Sequence, residues 1–403
     1  MSKPQQLKGL LMLKVKTFFL FIPFVVILLS GCAGKAVVEE DLIAYPPEPE
    51  EPRYYFQEVI FNSEAVVPES EESAIQRILV GEKRSFDRLG KPGDIIVRKG
   101  VIYLSDTVGS RVMVMDRPNS RVFSIKKIDG ATNIRKPFSL QVDDEGIIYL
   151  VDGGHRKVLV FSPEGDFLRE IGSPEFFDRP TGMDITPDGK ILYVSDTGGV
   201  TSMNHRIRVF DAVTGEHLRD IGKRGSEPGE FNLPKTIKLD GKGNLYVNDS
   251  GNFRIQVLNA ETGQPVKAFG GIGMGFGQFA RPKGLAIGPT GIIHVADALL
   301  GNVQLFNDEG QLLMFIGQRA DLNAPGNYLL PSGLAVDEDG RIYMVDQFFA
   351  KVDVFRPAHI GKYEGYFGVY DPDRTLEEVV VEDKAEERFK EELQPESVET
   401  PVQ

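Results

Sequence analysis

Residue types that build common catalytic centres are scarce in this chain. It has one cysteine and five histidines among 403 residues. A single cysteine excludes an internal disulfide and every metal site made of several thiolates. No Gly-x-Ser-x-Gly sequence occurs, so the nucleophile elbow of serine hydrolases is absent. The glycine run at residues 271–277 lacks the Gly-x-Gly-x-x-Gly spacing of dinucleotide sites and indicates a loop.

Basic charge is also lacking from the middle of the chain. The net charge of −13 comes from two flanks. Residues 33–74 contain eleven acids and two bases, and residues 371–403 contain twelve acids and four bases. The four lysines of residues 1–32 offset part of this, and residues 75–370 have no net charge. A neutral body lacks the basic excess of nucleic-acid-binding domains, so we expect no nucleic-acid partner.

The N-terminus has the pattern of an export signal. Lysines precede an apolar run at residues 17–29, which is short for a membrane-spanning helix. The run ends in Leu29-Ser30-Gly31-Cys32, which resembles the bacterial lipobox, whose cysteine takes the lipid (palmitate among its acyl chains) and becomes the first mature residue. The resemblance implies a signal peptide at residues 1–31 and lipidation of Cys32. In bacterial lipoproteins, an Asp after the lipidated cysteine favours retention in the inner membrane. This chain has Ala33 at that position, so the resemblance implies an outer-membrane lipoprotein. An ordinary signal peptide or anchor helix with a chance cysteine is the alternative.

Composition divides the remainder into three parts. Residues 32–53, acidic and proline-rich, are expected to form an extended tether after the lipidated cysteine. Residues 54–370 hold the folded body. Residues 371–403 have little apolar content, which predicts a disordered acidic tail.

One pattern organises the body. A strand that ends in Asp, a polar turn and a second strand recur six times. The anchoring residues, 46, 44, 53, 48 and 49 positions apart, are Asp106, Asp152, Asp196, Asp249, Asp297 and Asp346. A proline-led strand precedes each pair, and in most units a fourth strand ending in Gly follows. Six units of four short strands predict an all-β fold, a six-bladed β-propeller of four-stranded antiparallel blades.

Residues 86–356 resemble the NHL repeat family. The resemblance rests on Pro331-Ser332-Gly333-Leu334 and its counterparts, on strands such as Leu192-Tyr193-Val194-Ser195-Asp196, and on Asn252-x-Arg254-Ile255. Units five and six depart from the pattern, since Asn302 and Lys351 replace the Arg. We interpret the Asp and Arg of each turn as structural. The rival interpretation is six ligand-binding Asp–Arg pairs.

The ring needs one strand from outside the six units. Residues 54–61 have the aromatic and β-branched content of a strand and are favoured as the outer strand of the last blade. Residues 362–367 are the competitor. Acidic turns such as 143–146 could suggest calcium, but the ligand spacing of an EF-hand is absent and hairpin chemistry accounts for them.

Alternating connections divide the propeller into two faces. The loop face holds the turns between second and third strands and the blade-to-blade connections; the turn face holds the remaining, tight turns. The third unit adds five residues on the loop face, between Asp196 and Ile207. Because function concentrates in loops on rigid scaffolds, we predict a binding face made of His155, Arg156, Met203, Asn204, His205, Arg206, Arg224, Phe276, Arg319 and Tyr328.

The preferred function is a lipid-anchored scaffold or binding module of the bacterial cell envelope, attached to the membrane by its lipid, with an envelope protein or polysaccharide as partner. The alternative is a metal-dependent lyase or hydrolase with His155 and His205 in the central channel, as the resemblance to NHL-like lyases allows. Such a site needs several converging ligands, and no third ligand is evident. We therefore predict no catalytic residues, no metal and no cofactor.

Overall fold

A computed structural model describes residues 42–67, 79–80 and 86–369. From residue 43 onwards the described residues form six antiparallel sheets whose innermost strands neighbour one another in a closed ring. The predicted fold, an all-β six-bladed propeller, is confirmed.

In blades 1 to 5 the four strands follow chain order from the axis outwards. The strands of blade 1 are Pro92–Arg98, Val101–Asp106, Arg111–Asp116 and Arg121–Ile125, and those of blade 2 are Pro137–Val142, Ile148–Asp152, Lys157–Phe161 and Phe167–Ile171. The strands of blade 3 are Pro180–Ile185, Ile191–Asp196, Arg206–Asp211 and His217–Ile221, and those of blade 4 are Pro234–Leu239, Asn244–Asp249, Arg254–Asn259 and Pro265–Gly270. The strands of blade 5 are Pro282–Ile287, Ile293–Asp297, Asn302–Phe306 and Leu312–Ile316. Short 3-10 helices lie at Ser63–Ala65, Ser250–Asn252 and Gly365–Val369, and Gln318–Arg319 pairs in parallel with Asn327–Tyr328.

Blade 6 joins the two ends of the described chain. Its inner strands are Pro331–Val336, Ile342–Asp346 and Lys351–Pro357. The outer strand is Tyr54–Ile60, which pairs antiparallel with Lys351–Pro357. The N-terminal segment therefore closes the ring, as the sequence favoured.

The competing C-terminal segment forms the 3-10 helix Gly365–Val369 instead of a strand. Phe367 is buried, and the guanidinium groups of Arg117 and Arg341 lie 4.2 and 5.1 Å from its ring centre. The backbone N–H of Tyr366 donates to Asp339 Oδ2 at 2.8 Å. These contacts hold the segment against the turn face.

The expected tether is shorter in the structure. Ala44–Tyr45 pairs with Tyr54–Ile60, the seam strand that closes the ring, and so adds a fifth strand to blade 6. Residues 46–53 therefore form a turn at the edge of the blade. The Tyr45 ring, 5.3 Å from that of Phe355, anchors this strand. The predicted signal peptide, Cys32 and the tail from residue 371 lie outside the described residues. No helix within the described ranges is long and apolar enough to cross a membrane.

Six apolar clusters hold the ring together, and each lies between two adjacent blades. In the cluster between blades 6 and 1, Leu104 and Met113 pack with Val345 and Val352, all fully buried. Burial of each such side chain stabilises the fold by roughly 1.5–3 kcal/mol. Because a blade buries both faces only between two neighbours, stability depends on a closed ring.

Candidate functional site

The repeat Asp residues set the geometry of the loop face. All six are fully buried. Asp297 accepts hydrogen bonds from the backbone N–H groups of Ala280 and Arg281, both at 2.8 Å, which precede the innermost strand. It also accepts from Leu299 and Leu300 in the following turn, at 2.9 and 3.0 Å. One carboxylate thus joins the arriving chain to the turn, which supports the structural interpretation.

Side chains in the turn complete this arrangement where they are available. Arg254 Nε donates to Asp249 Oδ2 at 2.9 Å, and Asn252 Nδ2 donates to the same oxygen at 2.8 Å. Arg111 pairs with Asp106 at 3.2 Å. These carboxylates are occupied within the protein, so the Asp–Arg pairs are not arranged as ligand sites.

His155 performs the same role in blade 2. Its Nδ1 lies 2.7 Å from Asp152 Oδ2. Burial by itself would raise the pKa of Asp152, but the backbone N–H of Arg135, the His155 ring and further N–H groups bring it below its ordinary value. The ring therefore stabilises a buried carboxylate at the edge of the loop face.

His205 does not belong to an exposed binding surface, which corrects the sequence prediction. Its side chain is fully buried. Nε2 lies 3.0 Å from the carbonyl oxygen of Gly199, and Nδ1 accepts a hydrogen bond from the N–H of Leu233 at 3.3 Å. Since a carbonyl only accepts, Nε2 carries the proton and both nitrogens are engaged. The ring fastens the five-residue insertion to the chain entering blade 4.

Other contacts make the insertion rigid beneath an exposed tip. Arg224 donates to the carbonyl of Ser202 at 2.7 Å, and the Ser202 hydroxyl bonds to Asp178. Arg206 pairs with Asp220 at 3.1 Å. Met203 is 71% exposed, and Val200 beside it is also exposed.

Tyr328 is a second correction, because its side chain is completely buried. It lies three positions before the proline that starts an innermost strand. The same position holds a buried apolar side chain in every blade: Leu89, Ile134, Phe177, Phe231, Phe279 and Tyr328. This recurrence was visible in the sequence and would have identified Tyr328 as a core residue.

The remaining predicted residues lie on the loop face at different depths. Phe276 is 81% exposed and stacks on Phe315 with ring centres 5.7 Å apart. Arg156 and Arg319 are exposed, and Asn204 is half-buried. The sequence prediction missed other exposed apolar side chains of this face, namely Val108, Ile272, Met274, Leu299, Leu322 and Phe348.

The turn-face end of the axial channel contains a cavity of about 200 Å³, lined by the ends of all six innermost strands. Asp184 Oδ2 accepts from the N–H of Leu239 at 2.6 Å. Burial raises the pKa of Asp184, and Lys238 and Arg98 partly oppose this. No three His, Cys, Asp or Glu side chains within the described ranges gather into a metal site. His155 and His205 hold blade connections and do not converge on a ligand.

Comparisons with known proteins agree with this architecture. No family model matches the chain. NHL repeat-containing protein 3 of Mus musculus is 29% identical over 122 residues, which cover 28% of this chain and 34% of that protein. The Homo sapiens protein of that name is 30% identical over 107 residues, which cover 24% and 29%. The chain thus spans about a third of the length of these relatives.

Among solved structures, a protein of unknown function from Bacteroides thetaiotaomicron has a TM-score of 0.52 at 15% identity, covering 67% of this chain and 70% of that one. At this identity the likeness concerns the fold alone. The repeats and the blade geometry show a six-bladed β-propeller, and the named relatives support its assignment to the NHL type.

Proposed function

We propose that this propeller is a non-enzymatic binding module that presents its loop face to a partner in the bacterial cell envelope. The observation that carries the proposal is the concentration of exposed apolar side chains on that face. Met203, Ile272, Met274, Phe276 and Leu322 are each at least 70% exposed. Exposed apolar groups on a rigid scaffold are typical of protein interaction sites.

The loop face is also well ordered for binding. His205 and Arg224 hold the blade 3 insertion from below, so that Met203 is presented without the freedom of a loose loop. A preformed surface loses little conformational entropy on association. In blades 1, 2, 5 and 6 the repeat carboxylate accepts hydrogen bonds from two backbone N–H groups of the following turn, which favours a binding role over a mobile catalytic lid.

Attachment to the outer membrane through a lipid on Cys32 is part of the proposal and rests on the sequence. Strand pairing begins at Ala44, so residues 33–43 would link the lipid to the propeller. Eleven residues reach at most about 40 Å. A Cys32→Ser variant should fail to incorporate a labelled fatty acid and should leave the membrane fraction; labelling that persists in this variant would exclude Cys32 as the lipid site.

The binding role is tested by surface variants that leave the buried contacts intact. Met203→Ser with Phe276→Ser changes the loop face. The control, Val213→Ser with Val266→Ser, changes side chains that are 63% and 58% exposed at or near the turn face. Quantitative capture from envelope extract should recover a partner with the wild type and the control, and should lose it with the loop-face variant.

Equal recovery with both variants would refute the loop face as the binding surface. Deleting the insertion is a poorer test, because it removes His205 from the interior.

A further inference from the structure

Positively charged residues lie at the loop-face end of the propeller axis, where the six innermost strands begin; we call this end the loop-face mouth. Each innermost strand starts with a proline that pairs with the repeat Asp of the same blade, as Pro282 pairs with Asp297. The residues flanking these prolines therefore stand around the mouth. They include six cations and no acid: Lys91, Lys136, Arg179, Lys235, Arg281 and Lys283.

These cations are close enough to repel one another. The pKa of Lys283 is lowered to about 8, mainly by burial and in addition by the positive charges of Arg281, Lys235 and Lys91. Lys91 is in blade 1 and Lys283 in blade 5, so their interaction crosses the mouth past blade 6. Burial also lowers the pKa of Lys235, together with Arg281 and Arg179.

Nearby carboxylates do not neutralise this group. None of the six cations forms an ion pair with a carboxylate in the part of the chain that the structure describes. Asp346 raises the pKa of Lys283 and so partly opposes these effects. Its two oxygens already accept hydrogen bonds from Leu329, Leu330, Phe348 and Phe349 at 2.8 to 2.9 Å.

The two faces differ in charge although the body as a whole is neutral. On the loop face, the turns between second and third strands contain no acid in any blade, and the blade-to-blade connections contain acids such as Asp178, Glu227 and Glu230 together with bases. The turns between first and second strands on the opposite face include Asp143, Asp144, Glu145, Asp188, Asp240, Asp337, Glu338 and Asp339. The net charge of residues 75–370 is zero, so the prediction drawn from it missed this difference in charge between the two faces.

We propose that the loop-face mouth of the channel is a binding site for an anionic ligand group, a phosphate or a carboxylate. The ammonium groups of Lys235 and Lys283, both half-buried and without an ion pair to a described carboxylate, can donate charge-assisted hydrogen bonds to such a group. A bound anion attracts Lys235, Lys283 and Arg281, and this attraction offsets the repulsion between the three cations. This inference rests on the proposed function, because the mouth is the centre of the loop face, and it supplies the ligand chemistry there.

The experiment measures binding of inorganic pyrophosphate and of citrate to the full chain in neutral detergent, by calorimetry at low salt. The first probe carries phosphate and the second carboxylate, so the two titrations distinguish the ligand groups. The test variant is Lys235→Gln with Lys283→Gln. The matched control is Lys190→Gln with Lys242→Gln, on the turn face.

We expect at least one probe to bind the wild type and the control equally. Binding to the test variant should be weaker by about tenfold or more, since two charged hydrogen-bond donors are lost. The test variant should unfold at the same temperature as the wild type or higher, because two repelling charges are gone.

Absence of saturable binding of both probes, or equal binding by the test and control variants, would overturn the proposal. Partner capture with the Met203 and Phe276 variant is independent of this result, so failure of the anion site and failure of the loop-face function are distinguishable.

Discussion

The ring of Phe231 lies directly against the backbone of Gly222. A Cβ atom on Gly222 would be 2.3 Å from Cε2 of that ring, and the φ angle of Gly222 is +72°. The contact forms where the outer strand of blade 3 ends and the chain turns towards blade 4. It recurs in Gly172 with Phe177, Gly270 with Phe279, and Gly317 with Tyr328.

This contact predicts that Gly222→Ala is strongly destabilising. The added methyl group must displace a fully buried ring and also strains a backbone with positive φ, for a combined cost of about 3 kcal/mol or more. Gly215→Ala is the control: its φ is +77°, but its Cβ would meet no atom closer than 3.9 Å. It should cost only about 1 kcal/mol. Urea unfolding midpoints measure both, and equal losses would show that the ring contact is unimportant.

Asp297→Ala should also destabilise the fold. It removes the acceptor of four backbone N–H groups at a fully buried position. Each unsatisfied group costs about 1–3 kcal/mol, and partial access of water to the turn brings the expected loss to about 4 kcal/mol. Glu309→Ala, at an exposed turn, should change stability by less than about 0.5 kcal/mol. A small loss for Asp297→Ala in urea unfolding would contradict the structural role of the repeat Asp.

Because the N-terminal strand closes the ring, we expect a truncation that removes this strand to disrupt the fold and a shorter truncation to leave it intact. Removal of residues 1–60 deletes the partner of Lys351–Pro357 and leaves the buried Arg341 without the Gln57 Oε1 atom, 3.1 Å from its Nε. An exposed strand edge promotes aggregation. Removal of residues 1–42 retains every seam contact and should give a soluble monomer. Size-exclusion chromatography and near-ultraviolet circular dichroism compare the two, and a monomeric, native-like chain without residues 1–60 would refute the seam.

His294 predicts a loss of stability in mild acid. It is buried in blade 5, with Nδ1 3.0 Å from the carbonyl oxygen of Ile292, and burial lowers its pKa to about 4. The ordinary value in an unfolded chain is about 6.5. The neutral ring therefore stabilises the fold fully above pH 6.5, and this contribution is lost as the pH falls towards 4.

Between pH 7.5 and 4.5 the wild type should lose about 2 to 3 kcal/mol through His294. A His294→Gln variant should lack this component, although other titrating groups remain. Urea unfolding at both pH values gives the difference between the two proteins. An identical pH dependence in both would show that His294 titrates normally in the folded state.

The sequence determined the architecture more completely than the site. The spacing of the six Asp residues and the proline-led strands was sufficient for blade number, strand order and faces, because each repeat must bury the same positions. His205 and Tyr328 were misassigned since membership of a loop does not reveal which way a side chain points. The cations at the channel mouth were overlooked because they are scattered over five units and are offset by acids on the other face.

Position-specific photo-crosslinking in cells tests the binding face most directly. A photoreactive residue would replace Met203, Phe276 or Phe348 on the loop face, and Val213 or Glu261 on the turn face; all five side chains are exposed. We expect adducts with an envelope protein or polysaccharide at the loop-face positions and none at the turn-face positions. Adducts confined to the turn face, or equally frequent on both faces, would contradict it.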